Sequence, residues 1–213
     1  MNIIQLELPP LGTNCYIVGT GNGEAVVIDP ADEGERILSE AEAAGLTIKK
    51  ILLTHGHFDH TGAAAFIKEK TGSPIFIHSA DVELLSDGSK ALAFFCPGKP
   101  FNACTPDTLL ADGDKITQGD VTLKVVCTPG HTAGSVCFIC DSDAGRGVIF
   151  SGDTLFKDSI GRSDCYSGDT DTLMRSLDKL RELDGDYDIF PGHGECTTLA
   201  AEKRYNPFLA DFV

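Results

Sequence analysis

The apolar positions of this chain change period several times, and each change marks a predicted element. Residues 3–8, 15–18 and 25–28 are short strand-like runs, parted by Pro9-Pro10 and by Gly19-Thr20-Gly21-Asn22-Gly23, both strong turn signals. They predict an antiparallel meander. Between 32 and 44 the period becomes helical: Ile37, Leu38, Ala41 and Ala44 share one face, Glu33, Glu35, Glu40 and Glu42 fall elsewhere, and Gly45 follows as a C-terminal cap. A strand at 50–53, a helix at about 61–70 stopped by Gly72, and an apolar strand at 75–77 come next. Residues 91–106 are rich in Pro, Gly and Cys and keep neither period, so they predict a long loop, of a length that often serves function. Strands at 121–127, 135–140 and 147–150, a helix at about 171–183 and a strand at 187–190 complete the pattern. Strand-rich halves, each followed by helices, point to an α/β chain whose sheets pack together with helices on the outer faces.

Composition narrows the class. At 213 residues the chain is within reach of one α/β core, so a single domain over 1–213 is expected. Hydrophobic residues make up 42% and charged residues 23%, ordinary globular usage, and no apolar run approaches the roughly 20 residues of a membrane span. The N-terminus has no basic region ahead of an apolar stretch, so a cytoplasmic location is the expectation, with no membrane partner. Lys and Arg number 17 against 32 Asp and Glu, a net charge of −15, which repels a phosphate backbone and argues against nucleic acid. The eight cysteines are expected to be reduced. Cys137 and Cys140 have CxxC spacing, but in a strand their side chains point to opposite faces.

Candidate chemistry concentrates at turns. In Thr54-His55-Gly56-His57-Phe58-Asp59-His60, four of seven residues are good ligands for a divalent ion, at the end of an apolar strand and the start of a helix. Gly56 is expected there for its freedom of backbone angle. Three further candidates also follow apolar strands in Gly-bearing turns: His131 after 125–130, Asp153 after 148–152, and His193 after 189–192. Alone, each of these would be an ordinary hydrogen-bonding loop residue or cap. Together, unpaired His and Asp crowded at one rim would be costly without a cation. His78 falls outside the set, after the strand at 75–77.

With these elements in order, the sequence resembles the metallo-β-lactamase-fold hydrolases, and specifically the short glyoxalase II-like branch. The resemblance runs from Thr13-Asn14-Cys15-Tyr16 to Asn206-Pro207-Phe208-Leu209. It rests on the HxHxDH motif, Val27-Ile28-Asp29-Pro30, Thr128-Pro129-Gly130-His131-Thr132, Ser151-Gly152-Asp153-Thr154-Leu155-Phe156 and Gly161-Arg162-Ser163-Asp164. It implies an αββα sandwich, two mixed sheets packed face to face with helices outside. It also implies two divalent metal ions, with zinc favoured over iron or manganese. His55, His57 and His131 would hold one and Asp59, His60 and His193 the other, with Asp153 bridging. Two such cations would yield a hydroxide nucleophile at neutral pH, oriented by Asp59, for attack on a thioester, ester or lactone carbonyl. Asp29 and Thr54 are candidate supports of the ligands, and equally ordinary turn and strand-end residues.

The resemblance also limits the reading. Lactamases that bind zinc through a cysteine carry it where Asp153 stands, which disfavours antibiotic hydrolysis. Full-length glyoxalase II enzymes continue into a C-terminal helical domain with glutathione contacts, and the expectation here is that no such domain follows. Arg162 is a candidate for binding a substrate carboxylate, or else the partner of Asp164. The expected activity is hydrolysis of a small-molecule thioester of hydroxyacylglutathione type. The rivals are a mononuclear-iron persulfide dioxygenase, a lactonase, and a non-catalytic interaction or metal-storage protein keeping the fold.

Overall fold

The computed structural model describes residues 1–142 and 145–210; residues 143–144 and 211–213, included in the expected domain, lie outside it. The first half forms β1 (Asn2–Leu8), β2 (Thr13–Gly19), β3 (Glu24–Ile28), α1 (Gly34–Ala43), β4 (Thr47–Leu52), α2 (Phe58–Thr61), α3 (Ala64–Thr71), β5 (Ile75–His78) and β6 (Thr108–Leu110). Short 3-10 helices at Ser79–Leu85 and Ala93–Phe95 lie between the last two strands. The second half forms β7 (Lys115–Gln118), β8 (Val121–Cys127), β9 (Val136–Cys140), β10 (Gly147–Gly152), β11 (Leu155–Phe156), β12 (Ser159–Ile160), α4 (Thr170–Arg181), β13 (Tyr187–Pro191), β14 (Thr197–Thr198) and α5 (Leu199–Tyr205).

Among the described residues the strands make two six-stranded sheets, in the orders β1-β2-β3-β4-β5-β6 and β14-β13-β10-β9-β8-β7, with β11 and β12 as a separate hairpin. The first is an antiparallel meander through β3 and parallel from β3 to β6. Both sheets are mixed, since β10 pairs parallel with β13 but antiparallel with β9.

Alternation along the strands builds three apolar layers. Tyr16, Val18, Val26 and Ile28 from the first sheet face Val125, Val136, Phe138 and Phe150 from the second, and this is the core between the sheets. The intervening residues, Cys15, Ile17, Ala25 and Val27, point the other way, onto Ile37 and Ala41 of α1 and Ala64 and Ile67 of α3. Cys137, Ile139 and Ile149 likewise meet Leu173, Leu177 and Leu180 of α4. Strands buried on both faces read as continuous apolar runs, which is why they were visible in sequence. The result is the αββα sandwich. Cys137 packs under α4 while Cys140 packs against the inter-sheet core, so the CxxC pair is split between faces. The eight cysteines are free thiols.

Several boundaries differ from the sequence pattern. The helix expected at about 61–70 is α3, stopped by Gly72 as expected, and the short α2 precedes it across Gly62-Ala63, where a Cβ on Gly62 would stand 2.3 Å from the Ala31 carbonyl oxygen. α2 begins at Phe58, inside the His-rich motif, and so carries Asp59 and His60 on its first turn. Strands β6 and β7 leave no clear period in the sequence, because β6 is a three-residue edge strand with one buried position and β7 buries one position in four. α4 starts where Asp169 accepts the Thr172 amide at 2.7 Å, a side-chain N-cap.

Candidate metal centre

Four chain turns deliver the candidate ligands to one rim. β8 and β10 run in the same direction, because each is antiparallel to β9, and β13 is parallel to β10. The residues that follow them, His131, Asp153 and His193, therefore emerge together. The first sheet contributes the turn after β4, and the Val136 amide donates to the Thr54 carbonyl at 2.9 Å, tying the sheets at that edge. Close approach demands glycine at Gly192, where a Cβ would lie 2.2 Å from Asp153 Oδ1. Gly56 is required by space, since its Cβ would stand 2.6 Å from Leu84 Cβ; its φ is not in the left-handed region, so the expected angular freedom is not what it supplies.

All seven predicted ligands meet. Ligand atoms of His55, His57 and His131 lie within 4.8 Å of one another, as do those of Asp59, His60 and His193. His57 Nδ1 faces His131 Nε2 at 2.9 Å, and His60 Nε2 faces His193 Nε2 at 3.3 Å. Asp153 reaches both groups: its Oδ2 is 3.5 Å from His131 Nε2 and 3.6 Å from His193 Nε2. Its Oδ1 is 3.3 Å from His60 Nε2, close but out of hydrogen-bond alignment. Asp59 Oδ2 is 3.2 Å from His193 Nε2 and accepts the Thr13 hydroxyl at 3.1 Å.

The orientation of each ring is set from behind. Asp29 Oδ1 accepts the Thr54 amide at 2.8 Å, and Oδ2 accepts the Thr54 hydroxyl at 2.6 Å and lies 3.0 Å from His60 Nδ1. With its proton spent on Asp29, the Thr54 oxygen is left to accept from His55 Nδ1 at 3.0 Å, which turns the Nε2 lone pair of His55 into the site. His131 Nδ1 donates to the Arg162 carbonyl at 2.7 Å, with the same consequence. Asp29, His55 and His60 also lie close enough to hold an ion. The Asp29 oxygens are already taken by Thr54 and His60, so Asp29 is a support rather than a ligand.

Asp81 went unrecognised in the sequence. It is fully buried on the Ser79–Leu85 turn and accepts the Gly56 amide at 2.9 Å, the Thr132 hydroxyl at 2.7 Å and the Gly134 amide at 2.7 Å. One carboxylate thus clamps the turn bearing His55 and His57 to the loop bearing His131. Nothing in Ser-Ala-Asp-Val-Glu marks it as other than a surface residue. His78 stands apart from the centre, its Nδ1 accepting the Ala80 amide at 3.3 Å as the cap of that turn.

The donor set fits divalent cations. His55 Nε2 and Asp153 Oδ1 are buried without a hydrogen-bond partner, an arrangement that is costly in a protein interior unless a ligand takes them up, while His57 turns Nδ1 toward His131. Burial, then the neighbouring imidazoles, holds the His55 pKa well below its usual value; burial and His131 bring His57 down to about 3. Both are therefore neutral and ready to ligate. Burial would raise Asp59, yet His60 and His193 draw it down to about 2, and Asp153 is likewise held well below the usual carboxylate range against its burial. Burial would lower His60, but Asp153, Asp59 and Asp29 hold it well above its ordinary value, so the carboxylates call for positive charge at this point.

A cavity of about 270 Å³ opens onto the ligands, walled also by Leu11, Phe58, Leu92, Phe95, Cys96 and Arg162. The loop expected at 91–106 supplies three of these walls, one from its 3-10 turn. The Arg162 guanidinium pairs with Asp164 through two contacts of 2.7 and 3.0 Å and lies 5.7 Å from the Phe95 ring centroid. The Asp164 pairing expected as one reading of Arg162 is thus present, in a side chain that also lines the cavity. Among the described residues, no helix is long and apolar enough to cross a membrane.

Known proteins carry the same framework. The chain is 36% identical over 213 residues to the hydroxyacylglutathione hydrolase GloC of Haemophilus influenzae, covering 98% of each. The solved structure of TTHA1623 in a di-iron-bound form superposes with a TM-score of 0.86 at 38% identity, covering 97% of this chain and all of that one. BLEG-1, described as a B3 metallo-beta-lactamase, superposes with a TM-score of 0.91 at 35% identity, over 99% of this chain and 100% of that one. A family model described as the metallo-beta-lactamase superfamily matches residues 8–193, nearly the whole span from β1 to the last ligand, and the chain belongs to that superfamily.

Proposed function

We propose that this chain is a binuclear metallohydrolase of small thioesters and esters, of hydroxyacylglutathione hydrolase type. The observation that carries the reading is the position of Asp153, whose carboxylate lies within 3.3–3.6 Å of nitrogens from both ligand groups. His55, His57 and His131 would hold one divalent cation, Asp59, His60 and His193 a second, and Asp153 would be shared. Zinc is favoured, with iron or manganese accepted by the same donors. Such a pair supplies Lewis acidity, which favours loss of a proton from water near neutral pH and polarises a substrate carbonyl.

The chain's own groups do the rest. Asp59, fixed by Thr13 and ionised at neutral pH, orients water at the cavity floor. Asp29 and Thr54 keep the His60 and His55 rings turned inward, and the Arg162 carbonyl does so for His131. The apolar walls limit bulk water around the reacting carbonyl. The overall similarity to GloC supports a thioester substrate, and the similarity to BLEG-1 places a lactam among the carbonyls to test. Arg162 would meet a substrate carboxylate only by releasing Asp164.

The test is turnover of S-lactoylglutathione, simple esters, an acyl lactone and a β-lactam by metal-loaded protein. Thioester hydrolysis that vanishes in Asp153→Ala is expected. One iron per chain with persulfide-dependent oxygen uptake would replace this reading with the dioxygenase, and a fully metallated protein inert to every substrate would support a non-catalytic role.

A further inference from the structure

Resting on the hydrolase reading, the cavity itself narrows the substrate. Leu11 comes from the turn between β1 and β2, Phe58 from the start of α2, and Leu92 and Phe95 from the segment after the Ser79–Leu85 turn, so three separate parts of the chain build one apolar wall beside the ligands. Leu11 and Phe95 are each 49% exposed, and Phe94, its ring tilted at 37° to that of Phe95 with centroids 4.6 Å apart, is 62% exposed. Large apolar side chains gathered in water at the mouth of a polar site mark a surface that a ligand covers. Among the described residues lining the cavity, Arg162 is the single Lys or Arg, and its guanidinium is engaged by Asp164 and lies over Phe95. An anionic group beside the scissile carbonyl therefore finds no unengaged Lys or Arg side chain there, whereas an apolar one finds a wall.

Size sets the other limit. A volume of about 270 Å³ is at the lower edge of small-molecule sites. It admits the reacting carbonyl and one compact substituent, and leaves a bulky leaving group at the open mouth. We propose that the enzyme selects acyl groups bearing a compact apolar substituent, aryl or branched-chain, seated against Leu11, Leu92 and Phe95. In the reaction, water adds to the acyl carbon and the carbon–sulfur bond breaks. The acyl part departs as a carboxylate and the sulfur as a thiol, with the protons of water divided between solvent and the thiol.

The direct test compares lactoyl with mandeloyl thioesters, which differ in methyl against phenyl, both carried on N-acetylcysteamine so that recognition of the thiol part does not enter. With the metal-loaded full chain, kcat/KM for mandeloyl is expected to exceed that for lactoyl by about tenfold or more, the scale on which apolar pockets discriminate. Phe95→Ser and Leu11→Ser, from different loops, should each reduce that ratio at least about threefold while metal content stays that of the parent protein. Equal rates, a preference for lactoyl, or a ratio unmoved in both variants would overturn the selectivity while leaving the hydrolase reading intact. No turnover of either thioester would overturn both.

Discussion

Asp81 offers a perturbation whose effect can be worked from contacts alone. Alanine there removes the acceptor of two buried backbone amides, Gly56 and Gly134, and of the Thr132 hydroxyl. The hydroxyl can turn to Ser135 Oγ, 2.8 Å away, so two amides are orphaned. At about 1–3 kcal/mol for each unsatisfied buried donor, the loss is about 2–6 kcal/mol. Against this stands the relief of no longer burying a carboxylate, whose pKa burial holds above its ordinary value. The net destabilisation is therefore at most about 6 kcal/mol, against the 5–15 kcal/mol typical of a folded domain, and Asp81→Ala should fold. Its metal binding should change unevenly. The clamp joins the turn of His55 and His57 to the loop of His131 and touches none of Asp59, His60 and His193, so one site should weaken about 10–100-fold and the other little, by the usual effect of a lost support. Urea unfolding reads the first quantity, and stepwise metal removal by a chromophoric chelator reads the second. Equal weakening of both sites, or unaltered binding at both, would refute the clamp.

Asp29→Asn compromises both the His60 Nδ1 contact and the Thr54 hydroxyl that orients His55, so cations at both sites should be lost about 10–100-fold more readily, measured by the same chelator titration. Gly192→Ala places a Cβ 2.2 Å from Asp153 Oδ1, so turnover should fall at least about a hundredfold in a protein whose circular dichroism is unchanged; retained activity would show that Asp153 tolerates displacement. Thiol labelling of native protein at pH 7.5 should reach exposed Cys196 first, and buried Cys15 and Cys137 only after unfolding, because burial holds both pKa values up, that of Cys137 to about 11. Mass spectrometry of the labelled peptides decides it.

The candidate ligands are legible in the sequence because strand-end chemistry is local: an apolar run, a glycine and a histidine or aspartate announce both the element and its rim. The layers were legible for a related reason, since strands such as β2 and β10 are buried on both faces and leave unbroken apolar runs. What stayed hidden depends on distance. Asp81 contacts residues 25 to 53 positions away, and no short-range pattern reveals that an acidic residue in a polar turn is fully buried. The Arg162 contribution was hidden too, because it is a backbone carbonyl, available to any residue type. Helix α5, seven residues including Lys203-Arg204 at its end, offers too little apolar period to be read, and β14 is only two residues long. The split between α2 and α3 falls at Ala63, whose amide donates to the Pro30 carbonyl at 2.9 Å, a contact between segments that sequence spacing does not encode.

Metal stoichiometry is the shortest route to the central claim. Elemental analysis of the anaerobically purified protein, beside the Asp153→Ala variant, should find two divalent ions per chain in the parent and fewer in the variant. A parent protein that hydrolyses thioesters at full rate after exhaustive chelation, with no ion detected, would contradict it.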